Sequence, residues 1–244
     1  MTAGHSEQGE LEAVTRLVKG RRVDGIILLQ SRRNDPIVHF LQSEAFPFIL
    51  IGHYADDESI LCVDNDNVQA AYDATEHLIA QGHERIGFVS GPPNLTVSQD
   101  RLEGFKRAIE ANRLRVQPEW IVEGEFLQES GYRAMSFFMN LPERPTALVV
   151  VDDLVTFGVL RGLNELGYKV PDDLSLVSFN NIALAELSSP PLSSIDIGIY
   201  QLGYMASQLL IRKIAGDNPQ PTRVIVPHRL IVRESSLTRI TKWS

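Results

Sequence analysis

PDDLSLVSFNN, residues 171–181, is the stretch that decides the fold of this chain. Its apolar run ends abruptly in two adjacent amides, Asn180 and Asn181. Open α/β sheets bind ligands in the crevice outside the carboxyl ends of their parallel strands, so these amides stand where a ligand would be met. SSPPLSSIDIGIYQLG (residues 188–203) and IVPHRLIVRESS (residues 225–236) follow and complete the second half of the chain. A binding crevice is the first expectation.

Upstream, short apolar or β-branched runs alternate with longer stretches of helical periodicity, the pattern of repeated βα units with parallel strands. Residues 10–21 place Leu11, Val14, Leu17 and Val18 at helical spacing and lead into the strand VDGIILL at 23–29. A helix over 35–44, the strand PFILIG opened by Pro47, the loop GHYADDE and the strand SILCVD at 59–64 come next. The helix predicted over 67–80 is stopped by Gly82, and the strand RIGFVS at 85–90 ends in the breaker run GPPN. Three more helix and strand pairs are predicted: 100–112 with 120–124, 130–140 with 147–151, and 154–166 with 174–179. No sequence repeat of fixed period is present.

Composition bounds the class. With 244 residues, 43% apolar and 22% charged, the chain can bury sizeable cores as one large domain or two lobes. No apolar run has membrane-spanning length, and MTAGHSEQGE at the start has neither the basic region nor the apolar core of a secretory signal. A single cysteine, Cys62, permits no internal disulfide, which fits a reducing cytoplasm. The net charge of −8, without a Lys/Arg cluster interleaved with aromatics, argues against this stretch gripping DNA by itself.

Seven segments, VDGIILL, VDNDN, HLIAQGHERIGFVSGPP, RLEGF, EGEFLQESGYRAM, PTALVVVDDLVTFGVLRGLNELGYKVPDDLSLVSFNN and SSPPLSSIDIGIYQLG, lie in one order and spacing. In this the chain resembles the regulatory core of the lactose/galactose repressor (LacI/GalR) family over nearly its whole length, and the FNN turn with IVPHRLIVRESS is most similar to the maltose-operon repressor branch. The resemblance implies an α/β fold of two doubly wound parallel-sheet lobes of the periplasmic-binding-protein type I kind, joined by three crossovers. The first lobe would comprise residues 1–63 and 194–220, with a helix over 201–215, and the second residues 64–193 and 221–244. An effector held between two such lobes could shift a hinge equilibrium by its differential affinity for the two shapes. Family members carry a first strand and helix ahead of the segment matching residues 2–20, so the first lobe is expected to lack them here. They also read operator DNA as homodimers through an amino-terminal helix-turn-helix. That segment is not in this sequence, and operator DNA is expected as a partner only through it.

The candidate ligand-binding residues are Arg101, Asp152, Asn180, Phe126 and His53. By the resemblance, Arg101 of RLEGF points a guanidinium into the crevice, where a planar fork of donors suits adjacent sugar hydroxyls or a carboxylate. A surface ion pair at the start of a helix is the plainer alternative. Asp152 opens the DDLV turn, where a carboxylate can accept two hydroxyl hydrogen bonds while Asp153 caps the following helix. The family usually has Asn at the position of Asp152 and Asp at that of Asn180, so carboxylate and amide are exchanged here. One charge together with donors and acceptors suits a neutral sugar better than an anion. Phe126 matches a family aromatic that packs on the effector's apolar face, and an aromatic beside polar groups is the mixture a sugar pocket needs. It could equally be an ordinary core phenylalanine. His53 follows PFILIG where the family often places a polar or aromatic crevice residue, and a solvated loop histidine is the alternative. His77 and His83 are expected to be packing or capping groups, without metal-ligand partners at suitable spacing.

Catalysis has little support, since no GxSxG elbow, Walker loop, HExxH or Cys/His pairing occurs. No cofactor is expected. A transport-type sugar-binding protein would share the bilobed architecture and the same pocket chemistry, and fold alone does not separate the two. The missing export signal and the VDGIILL, GHERIGF and PPLSSID segments favour the regulator.

Overall fold

In the computed structural model, which describes residues 7–54 and 56–237, the chain divides into two compact units. The first comprises the described residues up to Asp64 together with Tyr200–Val226, and the second Asn65–Ile199 with the described residues from Pro227. The chain therefore passes between them three times.

The first unit is built on a four-stranded sheet of order β1-β2-β3-β9, formed by β1 (Ile26–Leu28), β2 (Phe48–Ile51), β3 (Cys62–Asp64) and β9 (Arg223–Ile225). All its pairings are parallel. α1 (Glu7–Lys19) and α2 (Pro36–Ser43) cover it through Val18, Ile37, Val38 and Leu41, which pack with Phe48, Leu50 and Cys62. α2 starts where the sequence says it should. Asp35 is in extended conformation and accepts hydrogen bonds from the Ile37 and Val38 amides at 2.9 and 3.4 Å, and Pro36 fills the first helical position, where no donor is needed. α8 (Ile199–Ile214) supplies the unit's later helix.

The second unit carries a six-stranded sheet of order β10-β8-β7-β6-β4-β5. Its members are β4 (Ile86–Val89), β5 (Ile121–Val122), β6 (Ala147–Val150), β7 (Ser175–Phe179), β8 (Ser193–Asp196) and β10 (Arg229–Ile231). Every pairing is parallel except β10 with β8. Helices cover both faces, which is why its central strands are unbroken apolar runs. On β6, Leu148 and Val150 enter a core shared with α5 (Gln128–Met139) and α6 (Asp153–Glu165), while Ala147 and Val149 enter the opposite core with α3 (Asn67–Ala80) and α4 (Thr96–Ala111). α3 ends at Gly82, whose φ of +91° is the left-handed conformation that closes helices, as the sequence predicts. α5 and α6 approach so closely that a Cβ on Gly131 would run into the Val155 carbonyl and one on Gly158 into the Gln128 carbonyl.

The α/β parallel-sheet class expected from the sequence is observed. The strand pairing also sets where the chain passes between units. Ser194 lies in β8 and pairs within the six-stranded sheet, so that passage follows Ile199. β9 pairs with β3, so the last passage follows Val226, beyond Pro221. Both exceed the sequence expectation because a three- or four-residue strand is assigned by its partner rather than its own pattern. α4 begins at Thr96, four residues before the predicted start, and α7 (Ala183–Leu187) was not anticipated. Among the described residues no helix is long and apolar enough to cross a membrane.

Candidate functional site

The chain order of the second unit's strands reverses at β4. From β4 it goes outward to β5 on one side and then, through β6, to β7 and β8 on the other. Neighbouring strands whose connections leave in opposite directions open a crevice at their carboxyl ends. Gly91 follows β4 at this point, Asp152 follows β6, and Asn180 follows β7. Three candidates, Arg101, Asp152 and Asn180, meet on this rim.

Asp152 is in extended conformation and caps α6, accepting the Leu154 amide at 2.6 Å and the Val155 amide at 3.3 Å through Oδ1. Its other oxygen accepts the Asn180 side-chain amide at 2.5 Å. Burial pushes the Asp152 carboxyl above the usual carboxylate range, opposed by the two capped amides, the Arg101 guanidinium and Asn180. Asp153, expected to be the cap, is fully buried instead. It accepts the Ile182 amide at 2.8 Å and the Ser194 hydroxyl at 2.9 Å, so it ties the turn after β7 to β8. A cap must project from an extended residue ahead of the first turn, and Asp152 alone meets that condition. The turn that Asp153 holds contains Asn180 and Asn181, with φ of 95° and 49°. Asn tolerates this left-handed region better than other side-chain-bearing residues, which accounts for the FNN ending of the strand.

Arg101 is only 4% exposed, so the surface ion pair considered from the sequence is not what forms. Its Nε donates to Asn67 Oδ1 at 3.0 Å, Nη1 donates to the Val151 carbonyl at 2.6 Å, and the guanidinium lies 4.2 Å from the centre of the Phe179 ring. It thereby joins α3, the end of β6 and β7, near enough for its charge to act on Asp152. Phe126 lies on the loop between β5 and α5, half-buried against the α5 and α6 core, with its ring edge close to Gly91. His53 belongs to the first unit, after β2. Its Nδ1 is 3.1 Å from Asp64 Oδ2, and the same oxygen accepts a hydrogen bond from Arg223 Nη2 at 2.7 Å.

Sequence reasoning missed Ser98 and Asn67, and it treated Asp153 as a cap. Ser98 stands one turn before Arg101 in α4, buried and next to Gly91. His77 and His83 turn out to tie separate elements together. His77 Nε2 is 2.7 Å from Ser236 Oγ, while His83 places its two ring nitrogens 3.0 Å from Thr146 Oγ1 and 3.0 Å from Ser175 Oγ at the entries of β6 and β7.

The class defined by this fold and rim is confirmed by comparison. Residues 75–236 match the periplasmic binding protein-like domain family. The repressor CytR of Escherichia coli K12 is 32% identical over 232 residues, which are 95% of this chain and 68% of CytR. A crystal structure of a LacI transcriptional regulator from Bacillus cereus subsp. cytotoxis is 42% identical, with a TM-score of 0.91 over 95% of this chain and 83% of that one. The transcriptional regulator CelR in its cellobiose complex is 30% identical, with a TM-score of 0.86 over 93% of this chain and 70% of CelR. This chain belongs to the LacI family of transcriptional regulators. The relatives it matches are regulators rather than enzymes.

Proposed function

We propose that this chain is the effector-sensing and dimerising core of a sugar-responsive transcriptional repressor, which acts on operator DNA in the cytoplasm and binds a neutral sugar at the rim of its second unit. The Asp152–Asn180 pair carries this proposal. A carboxylate and an amide coupled at 2.5 Å on the crevice of a doubly wound sheet offer one acceptor-rich and one mixed group to adjacent hydroxyls. The pair can reorganise to bind a diol without leaving either partner buried and unmatched. Arg101 holds the floor of the rim and brings a balancing charge, so the site stays near neutrality, which disfavours a strongly anionic effector. Phe126 supplies an apolar face for the CH-rich side of a sugar ring. A cellobiose complex of a relative agrees with this ligand class.

The homodimer is part of the same proposal. α8 exposes Tyr200, Tyr204 and Ile211, with the two tyrosine rings stacked at 6.3 Å, an apolar stripe of the kind that self-association covers. Titration calorimetry with maltose, maltotriose and cellobiose tests the ligand, with saturable binding of at least one expected. Sedimentation of the protein at micromolar concentration tests the dimer. Affinity for the best sugar that is unchanged in both Arg101→Ala and Asp152→Ala would show that the rim is not the site.

A further inference from the structure

One polar atom on this rim has no role in the architecture described so far. The Ser98 side chain is 1% exposed, and its Oγ has no hydrogen-bond partner. A serine inside a helix ordinarily returns its hydroxyl to a carbonyl one turn earlier, and a buried hydroxyl left without a partner is destabilising. Native structures keep few such groups, and those they keep call for a functional account.

The surroundings of Ser98 suggest what the account is. A Cβ placed on Gly91, just after β4, would come within 2.7 Å of both the Ser98 hydroxyl and the tip of the Phe126 ring. The hydroxyl and the ring therefore share one slot, at the point where the strand order reverses, and a glycine leaves it open. Ser98 and Arg101 are three residues apart in α4 and lie on one face of it. Ser98 also sits in the first turn of a helix that no side chain caps, where amide groups and the helix dipole favour an electron-rich oxygen.

We propose that the Ser98 hydroxyl is a ligand-binding group, that the neighbouring Phe126 ring closes over it, and that a ligand hydroxyl displaces the ring and takes up the open hydrogen bond. This rests on the sugar-binding function proposed above and adds to it a specificity determinant on α4. The ligand oxygen accepts from Ser98 Oγ–H, and the ring moves from covering the serine to covering the apolar face of the sugar. Ligands that lack the matching hydroxyl would leave Ser98 unpaired and bind less tightly.

Ser98→Ala separates this role from a structural one. With maltose, maltotriose and cellobiose as probes, the variant is expected to bind the best sugar about five- to tenfold more weakly, the worth of one hydrogen bond. The unliganded variant is expected to unfold at the same temperature as the wild type or higher, because an orphaned hydroxyl has been removed. Unchanged affinity, or a lowered unfolding temperature with unchanged affinity, would overturn the assignment while leaving the sugar site intact. Wild-type protein that binds none of the three sugars would overturn both. A crystal structure of the wild-type complex gives an answer independent of the variant's folding. It should show a sugar oxygen within hydrogen-bond distance of Ser98 Oγ and the Phe126 ring displaced, and a ring still covering the hydroxyl would contradict the proposal.

Discussion

Asn180 donates its side-chain amide to Asp152 at 2.5 Å while the other Asp152 oxygen caps α6. One carboxylate thus serves a helix terminus and a candidate ligand position at once. Substitutions at Asp152 should separate those duties. Asn is as good a cap as Asp, so Asp152→Asn should change folding stability by less than about 0.5 kcal/mol, whereas Asp152→Ala should lose about 1 kcal/mol. Both should weaken sugar binding. Urea denaturation paired with calorimetry checks the two effects separately.

Asp153 is a structural acid. It is fully buried, and burial raises its carboxyl above the usual range while the Ile182 amide and Ser194 hydroxyl oppose that shift. Asp153→Ala leaves the buried Ser194 hydroxyl without an acceptor, at a cost of about 1–3 kcal/mol, and frees the part-buried Ile182 amide as well. The same change frees the turn that holds Asn180, so sugar affinity should fall along with stability. Chemical denaturation gives the first quantity, and an Asp153→Ala protein as stable as the wild type would contradict the assigned contacts.

The two half-buried histidines, His77 and His83, set a pH dependence. Burial lowers the pKa of both His77 and His83 below its ordinary value, and for His83 the nearby His77 adds to the effect. The unfolded chain takes up a proton at each near about pH 6.5, before the folded protein does, so it binds more protons below that pH. Stability from these groups is therefore complete above about pH 6.5 and lost as pH falls through the lower folded values. Asp152 and Asp153 act in the opposite sense, because their raised values favour the folded state at low pH. A His77→Gln/His83→Gln variant leaves both aspartates in place, so on going from pH 7 to pH 5 it should lose less stability than the wild type, or gain some. Thermal unfolding across that range measures the difference.

Cys62 should be unreactive. It is buried in the first unit's core on β3, and burial, with the Asp64 charge adding, pushes its thiol up to about 11. Thiolate is the reacting species, so a thiol-specific reagent at pH 8 should label the folded protein slowly and the urea-unfolded protein fast. Rapid labelling of folded protein would mean that β3 is less enclosed than described.

Much of this architecture was legible because its signals are local. LSLVSF and ALVVV are apolar on both faces and could only be interior strands, and the Asp35–Pro36 pair announces α2. The family segments brought Arg101, Asp152 and Asn180 forward as candidates. What escaped notice depends on distant partners. The early start of α4 has no capping side chain at Leu95 to mark it, and β9 and β10 are three-residue strands recognisable only by what they pair with. Of the adjacent acids, Asp152 and Asp153, nothing in sequence says which one is extended. Ser98 is one serine among many until Gly91 and Phe126 are seen to share its slot.

The most direct test of the rim as an effector site is a calorimetric titration of maltotriose, maltose and cellobiose into the wild-type protein and into Asp152→Asn and Asn180→Ala side by side. Both variants keep the α6 cap and the buried Arg101. Saturable binding to the wild type that weakens about tenfold or more in each variant, with folding stability preserved, is the predicted result. Wild-type protein that binds none of these sugars, or variants that bind as tightly as the wild type, would contradict it.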